Sequence, residues 1–129
     1  MAGADAALPE SRLVAVTAAR AAAEKQGADI TVLDVRSLIV ITDFFVIVSG
    51  STSRQVKTIV DGAEEALRGL GVKPLRREGV TEGRWVLLDY VDVVVHVFGE
   101  EERRYYDLER LWKDADRLSW EDGDAASSG

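Results

Sequence analysis

The stretch RWVLLDYVDVVVHVFGE, residues 84–100, holds three side chains that could do chemistry: the carboxylates of Asp89 and Asp92 and the imidazole of His96, the one histidine of the chain. Two acids and an imidazole can bind a divalent cation, and an imidazole can act as a general base near neutral pH. The spacing speaks against both. His96 is four residues beyond Asp92, roughly 13 Å along a strand at about 3.4 Å per residue, so one ion cannot hold all three groups. No serine or cysteine stands in a recognisable nucleophile motif with His96, and an isolated histidine is more often packed or hydrogen-bonded than catalytic. A second stretch, VSGSTSRQ, turns from a strand into a helix start, where backbone amides can receive an anion. It lacks the spacing and the lysine of a phosphate-binding loop, and a plain helix cap accounts for it equally well. No catalytic residue, metal or cofactor is expected.

The elements that carry these groups follow from the apolar pattern. A two-residue turn at Tyr90–Val91 would pair Asp89 with Asp92, Leu88 with Val93, Leu87 with Val94, Val86 with Val95 and Trp85 with His96. Alternation then sorts the hairpin into two faces. Val86, Leu88, Val93, Val95 and Val97 form a purely apolar face. Trp85, Leu87, Asp89, Asp92, Val94, His96 and Phe98 form a mixed one. Tryptophan is enriched at the centres of protein interfaces, so the mixed face is expected to meet a partner. Val91 fits this turn badly, because β-branched residues avoid positive φ.

Around the hairpin, Ser11 is placed to cap a helix running to Gln26, with Gly27 as its stop. Residues 29–35 read as a short strand and 42–50, TDFFVIVSG, as a central strand too apolar to have a wet face. Thr52 and Gln55 have capping-box spacing ahead of a helix with Val56, Ile59, Val60, Ala63, Leu67 and Leu70 on one stripe, closed by Gly71. Residues 72–84 read as an irregular connection with a brief strand at Val72. Residues 100–115 read as a helix whose inner stripe is Tyr105, Leu108, Leu111, Trp112 and Ala115, with one of Tyr105 and Tyr106 turned outward. The order of helices and strands puts helices on a sheet, in the α/β or α+β class. One domain over 11–118 is expected, between a flexible arm at 1–10 and a disordered acidic tail at 119–129.

Composition narrows the partner. The 129 residues include no cysteine, which excludes a disulfide framework and a thiol nucleophile. No apolar run approaches the roughly 20 residues needed to span a bilayer, and the N-terminus lacks the basic region of a secretory signal; a soluble, cytoplasmic protein is expected. The net charge of −7, from 16 basic and 23 acidic residues, disfavours direct nucleic-acid binding and suits a basic protein partner.

Four segments in order, DITVLDVRS, ITDFFVIVSGSTSRQV, EGRWVLLDYVDVVVHVF and YYDLERLWKDA, resemble the motifs of the ribosomal silencing factor family, related to plant iojap. The resemblance covers roughly residues 11–115. It implies an α/β fold, a mixed sheet flanked by helices as in nucleotidyltransferases, without catalysis or cofactor. It further implies a translational repressor that binds the large ribosomal subunit through its protein fourteen and blocks joining of the small subunit when nutrients are short. Trp85, Asp89, Tyr90, Asp92 and His96 match the family's motif and are carried over as partner-binding residues. The family usually has glycine where this chain has Val91. Two other readings stay open: a large-subunit assembly factor, and a Mg²⁺-dependent nucleotidyltransferase-like enzyme using Asp89 and Asp92 with the Gly50–Ser51 turn. A homodimer of the free chain also stays open.

Overall fold

Seven consecutive buried residues, Phe44–Gly50, form the middle of the fold. The structure, a computed structural model, describes residues 10–121. In chain order its elements are α1 (Ser11–Glu24), β1 (Ala28–Asp34), β2 (Phe44–Gly50), α2 (Ser53–Gly69), β3 (Arg76–Glu78), β4 (Trp85–Asp89), β5 (Val93–Gly99), α3 (Glu100–Tyr106), α4 (Leu108–Leu111) and β6 (Asp116–Arg117). The strands form one mixed sheet in the order β3-β4-β5-β2-β1-β6. Only β2 and β5 run parallel; every other pair is antiparallel. This is the α/β architecture expected, with β2 central and dry on both faces.

One face of the sheet is covered by α1 and α2. Val14, Ala15, Ala18, Ala19 and Ala22 of α1 and Val56, Ile59, Val60 and Leu67 of α2 pack on Phe44, Val46, Val48, Val86, Leu88, Val93, Val95 and Val97. The small alanine face of α1 lets the two helices sit close to the strands and to each other. On the other face a smaller cluster, Leu33, Val35, Phe45, Ile47 and Phe98, is only partly roofed by Leu108, Trp112 and Ala115.

The helix ends differ in detail from the sequence reading. Glu10, not Ser11, is the N-cap of α1, and the Ser11 hydroxyl instead donates to Asp43 at 2.7 Å. Gln26, at φ 67°, takes the left-handed position that ends α1; Gly27 donates to Ala22 O at 2.9 Å, the pattern of a Schellman stop. A Cβ on Gly27 would lie 2.6 Å from Val48 Cγ2, so this glycine serves close approach to β2. The α2 stop is as expected: Gly71 sits at φ 83°, with Val72 N bonded to Leu67 O. The brief strand falls at Arg76–Glu78 instead of Val72.

The helix expected over 100–115 is broken. Asp107, at φ 47°, separates α3 from α4, and the break rotates the stripe. Leu108, Trp112 and Ala115 face the core, whereas Tyr105 and Leu111 are exposed. Trp120, placed by sequence in the tail, donates from Nε1 to Ile30 O at 3.2 Å. The rest of the expected arm (1–9) and tail (122–129) lies outside the described residues.

Candidate functional site

The β4–β5 hairpin turns one residue later than expected. Tyr90 N bonds Val93 O at 2.8 Å, and Asp92 N bonds Tyr90 O at 2.9 Å, so the loop residues are Val91 and Asp92. With φ at 75°, Val91 is the centre of a γ-turn of the strained, positive-φ kind. Asp89 Oδ1 supports it by accepting from Val91 N at 2.8 Å. The expected register is therefore corrected: Trp85 pairs with Phe98, Val86 with Val97, Leu87 with His96, Leu88 with Val95 and Asp89 with Val94. The slide is two residues, so alternation is preserved and each side chain stays on the face assigned to it.

Trp85 and His96 meet all the same, diagonally across the pair. Trp85 Nε1 donates to His96 Nδ1 at 3.1 Å. His96 is 6% exposed, with Phe45 edge-on at 5.4 Å and Phe98 stacked at 6.1 Å. Burial pushes the imidazole down to about 4, and no neighbouring charge contributes. Neutral imidazole is thus the form present at pH 7. Trp85 is half-buried; Phe98 stacks beneath it at 4.9 Å and Tyr106 of α3 lies against it at 4.5 Å. Tyr106 is 46% exposed and Tyr105 81%. Tyr105 is therefore the outward tyrosine, while Tyr106 belongs to the aromatic surface, a role its spacing did not reveal.

The other candidate residues separate from this pair. Asp89, on the same face, is held by Arg76 of the edge strand at 3.1 Å. Asp92 sits exposed in the turn, where its backbone oxygen accepts from Asp43 N and Phe44 N. Tyr90 packs against the helix-covered core, beside a cleft of about 350 Å³ lined also by Ser11, Val72 and Lys73. Among the described residues its hydroxyl is buried without a partner, and burial, chiefly, pushes it up to about 12.

The Gly50–Ser51 turn is closed on itself. Thr52 Oγ1 accepts from Gln55 N at 3.0 Å, and Gln55 Oε1 accepts from both Ser51 N and Ser51 Oγ, so the Ser51 donors are engaged within the turn. Gly50 aligns with Gly99 and Phe44 with Val93, so Ser51 and Asp92 lie beyond opposite ends of the β2–β5 pair, roughly 26 Å apart at about 3.3 Å per residue. Among the described residues no group of three or more His, Asp or Glu could hold a metal ion, and no helix is long and apolar enough to cross a membrane.

A buried clasp ties α3 to the sheet. Arg103, 9% exposed, donates to Glu109 Oε1 and Oε2 at 3.1 and 2.8 Å, to Ser49 Oγ at 2.8 Å and to Asp29 O at 2.6 Å. Hydrogen bonds from Arg103 hold the Glu109 carboxyl below its usual range against the opposing effect of burial. From sequence, Arg103 was one of a pair of arginines among acids, with nothing to mark it as interior.

A mixed sheet with the larger core under two helices on one face and a partly roofed aromatic surface on the other defines an α/β protein with an asymmetrically covered sheet. Comparison with known proteins names the family. Residues 8–128 match the model of "Ribosomal silencing factor during starvation". The chain is 42% identical over 98 residues to ribosomal silencing factor RsfS of Bacillus subtilis, covering 76% of this chain and 83% of that one. It is 38% identical over 104 residues to the chloroplastic protein Iojap of Zea mays, covering 78% of this chain and 44% of the plant protein. A crystal structure of a Chromobacterium violaceum protein superposes with a TM-score of 0.79 at 35% identity, covering 81% of this chain and 88% of the other. The chain belongs to the ribosomal silencing factor family, which is named for a regulatory role.

Proposed function

We propose that this protein is a cytoplasmic translational repressor that binds the large ribosomal subunit through its protein fourteen and sterically blocks joining of the small subunit under nutrient limitation. The observation that carries the reading is the asymmetry of the sheet. The α1–α2 face holds the larger buried core, whereas Trp85, Leu87 and Tyr106 remain partly open on the other, over a floor of Phe98 and His96. Large, rigid aromatic surface of this kind supplies contact area at little conformational cost. Trp85, Asp89 and His96 supply the contacts; Tyr90 and Asp92 shape the turn at its edge. The surplus of acid suits a basic ribosomal protein, because opposite charge steers encounter. The protein acts as a regulatory factor and not as a catalyst: the separation of Ser51 from Asp92 and the self-capped turn support this. In the free state the same apolar face offers a surface for a second copy.

Sedimentation with isolated large and small subunits tests the reading. The wild-type chain co-migrates with the large subunit and depletes joined ribosomes as its concentration rises. Trp85→Ala weakens this binding by at least about tenfold, the effect of removing an aromatic anchor, scored on folded protein because the variant also loses the His96 hydrogen bond and the Phe98 stack. No co-migration at micromolar concentration, or normal binding by the variant, would overturn respectively the function and the assigned face.

A further inference from the structure

We infer that His96 presents one directional hydrogen-bond donor, its Nε2–H, in the docking face, and that the group it recognises on the protein partner is a neutral carbonyl oxygen. This rests on the docking role proposed above and specifies its chemistry.

The tautomer follows from Trp85. An indole N–H can only donate, so at 3.1 Å from Trp85 Nε1 the Nδ1 of His96 must be an acceptor and carry no proton. The proton of the neutral ring is then on Nε2. Among the described residues the buried side-chain nitrogens and oxygens without a partner are Thr42 Oγ1 and Tyr90 OH. His96 Nε2 makes no hydrogen bond within the described chain yet is not one of them. At 6% exposure the ring is nearly but not wholly sealed, and alternation along β5 puts its side chain on the half-roofed face. A partner that dries this face leaves the donor unsatisfied unless it brings an acceptor, and an unpaired buried donor weakens binding.

The surroundings select a neutral acceptor. Trp85 and Leu87 of β4, Phe45 of β2 and Phe98 of β5 flank the ring. Tyr106 of α3 and Trp112 after α4 close over Trp85 and Phe45. Asp89 is two residues along β4 and engaged by Arg76. Among these the only titratable side chain roofing the pair is a phenol. A carboxylate on the partner would favour imidazolium, but a proton on Nδ1 would set two donors against each other at the Trp85 contact. The net charge of −7 also disfavours an acidic partner.

The test has two readouts on the full-length chain. Long-range ¹H–¹⁵N correlation spectra of the free protein report the tautomer, and sedimentation with isolated large ribosomal subunits reports binding. Wild type shows the Nε2–H tautomer at pH 7. His96→Asn keeps an amide oxygen to accept from Trp85 but has no atom at the Nε2 position, and it lowers affinity on the order of tenfold. His96→Gln, whose longer amide reaches further outward, recovers part of the loss. An Nδ1–H tautomer in wild type overturns the inference even if a variant fails to fold. So does wild-type affinity in a folded His96→Asn protein when Trp85→Ala is impaired. Wild-type affinity in Trp85→Ala as well removes the docking reading itself.

Discussion

Two residues hold conformations or protonation states whose cost can be measured. His96 is neutral in a nearly closed aromatic site, and burial holds it at about 4, while an unfolded histidine titrates near 6.5. Between those values the unfolded chain takes up a proton that the native chain refuses, so stability falls as pH is lowered from about 6.5 to about 4. The expected loss over the window is on the order of 3 kcal/mol. Chemical denaturation at a series of pH values should show this slope in wild type and a flatter profile in His96→Asn; parallel profiles would contradict the buried neutral ring. Val91 is the second case. A β-branched residue at φ 75°, 51% exposed, gains little packing to offset its strain, which is of order 1–3 kcal/mol. Val91→Gly should raise stability by about 1 kcal/mol after the added freedom of the unfolded chain is subtracted, read as a higher denaturation midpoint. These residues also show what sequence could disclose. Alternation alone gave both faces of the hairpin correctly, because a slide of two residues keeps parity. It could not give the register, which depends on Asp89 bracing a γ-turn that Val91 would not choose on its own.

At the scale of elements, what matters is how α3 is fixed, since Tyr106 roofs Trp85 from it. Seven residues of helix have no stability alone; the Arg103–Glu109 clasp, with Ser49 and Asp29 O, holds this one to β2 and β1. Breaking a buried pair by removing one partner costs about 3–5 kcal/mol, because the other charge is left uncompensated. Arg103→Ala should therefore lower stability by about 3 kcal/mol and weaken large-subunit binding together, measured by denaturation and sedimentation on one preparation. Loss of stability with unchanged binding would mean that α3 does not organise the docking face. The clasp also has its own acid limit. The Glu109 carboxyl is depressed, so its contribution is full above the unfolded value near 4.3 and is lost only as pH falls through the lower folded one. It fails below the window in which His96 acts. Sequence disclosed a helix here but hid its break and its clasp for a physical reason: an arginine among acids reads as solvated, and the left-handed Asp107 between Arg103 and Glu109 leaves no periodic signal.

For the whole molecule, the layered architecture sets what the proposed docking would do. Were the Trp85 face to lie against the large subunit, the α1–α2 layer would stand on the far side of the sheet, and a helix layer would add about 10 Å of protein where another subunit would approach. A steric block needs no chemistry on that outer surface, only occupancy. Across a series of folded variants of the docking face, such as Trp85→Ala, Leu87→Ala and Tyr106→Ala, the loss of joined ribosomes should then follow the fraction of large subunits occupied along a single curve, whichever residue was changed. Charge substitutions on exposed α2 positions such as Lys57 and Glu65 should lie on the same curve at wild-type occupancy. Titrations followed by sedimentation, scoring bound protein and joined particles in the same gradients, give both axes. A variant that occupies the large subunit fully yet lets the small subunit join would break the curve, and would show that silencing requires a specific contact from the outer layer, or a change in the large subunit, beyond the volume that the folded sheet and its helices place there.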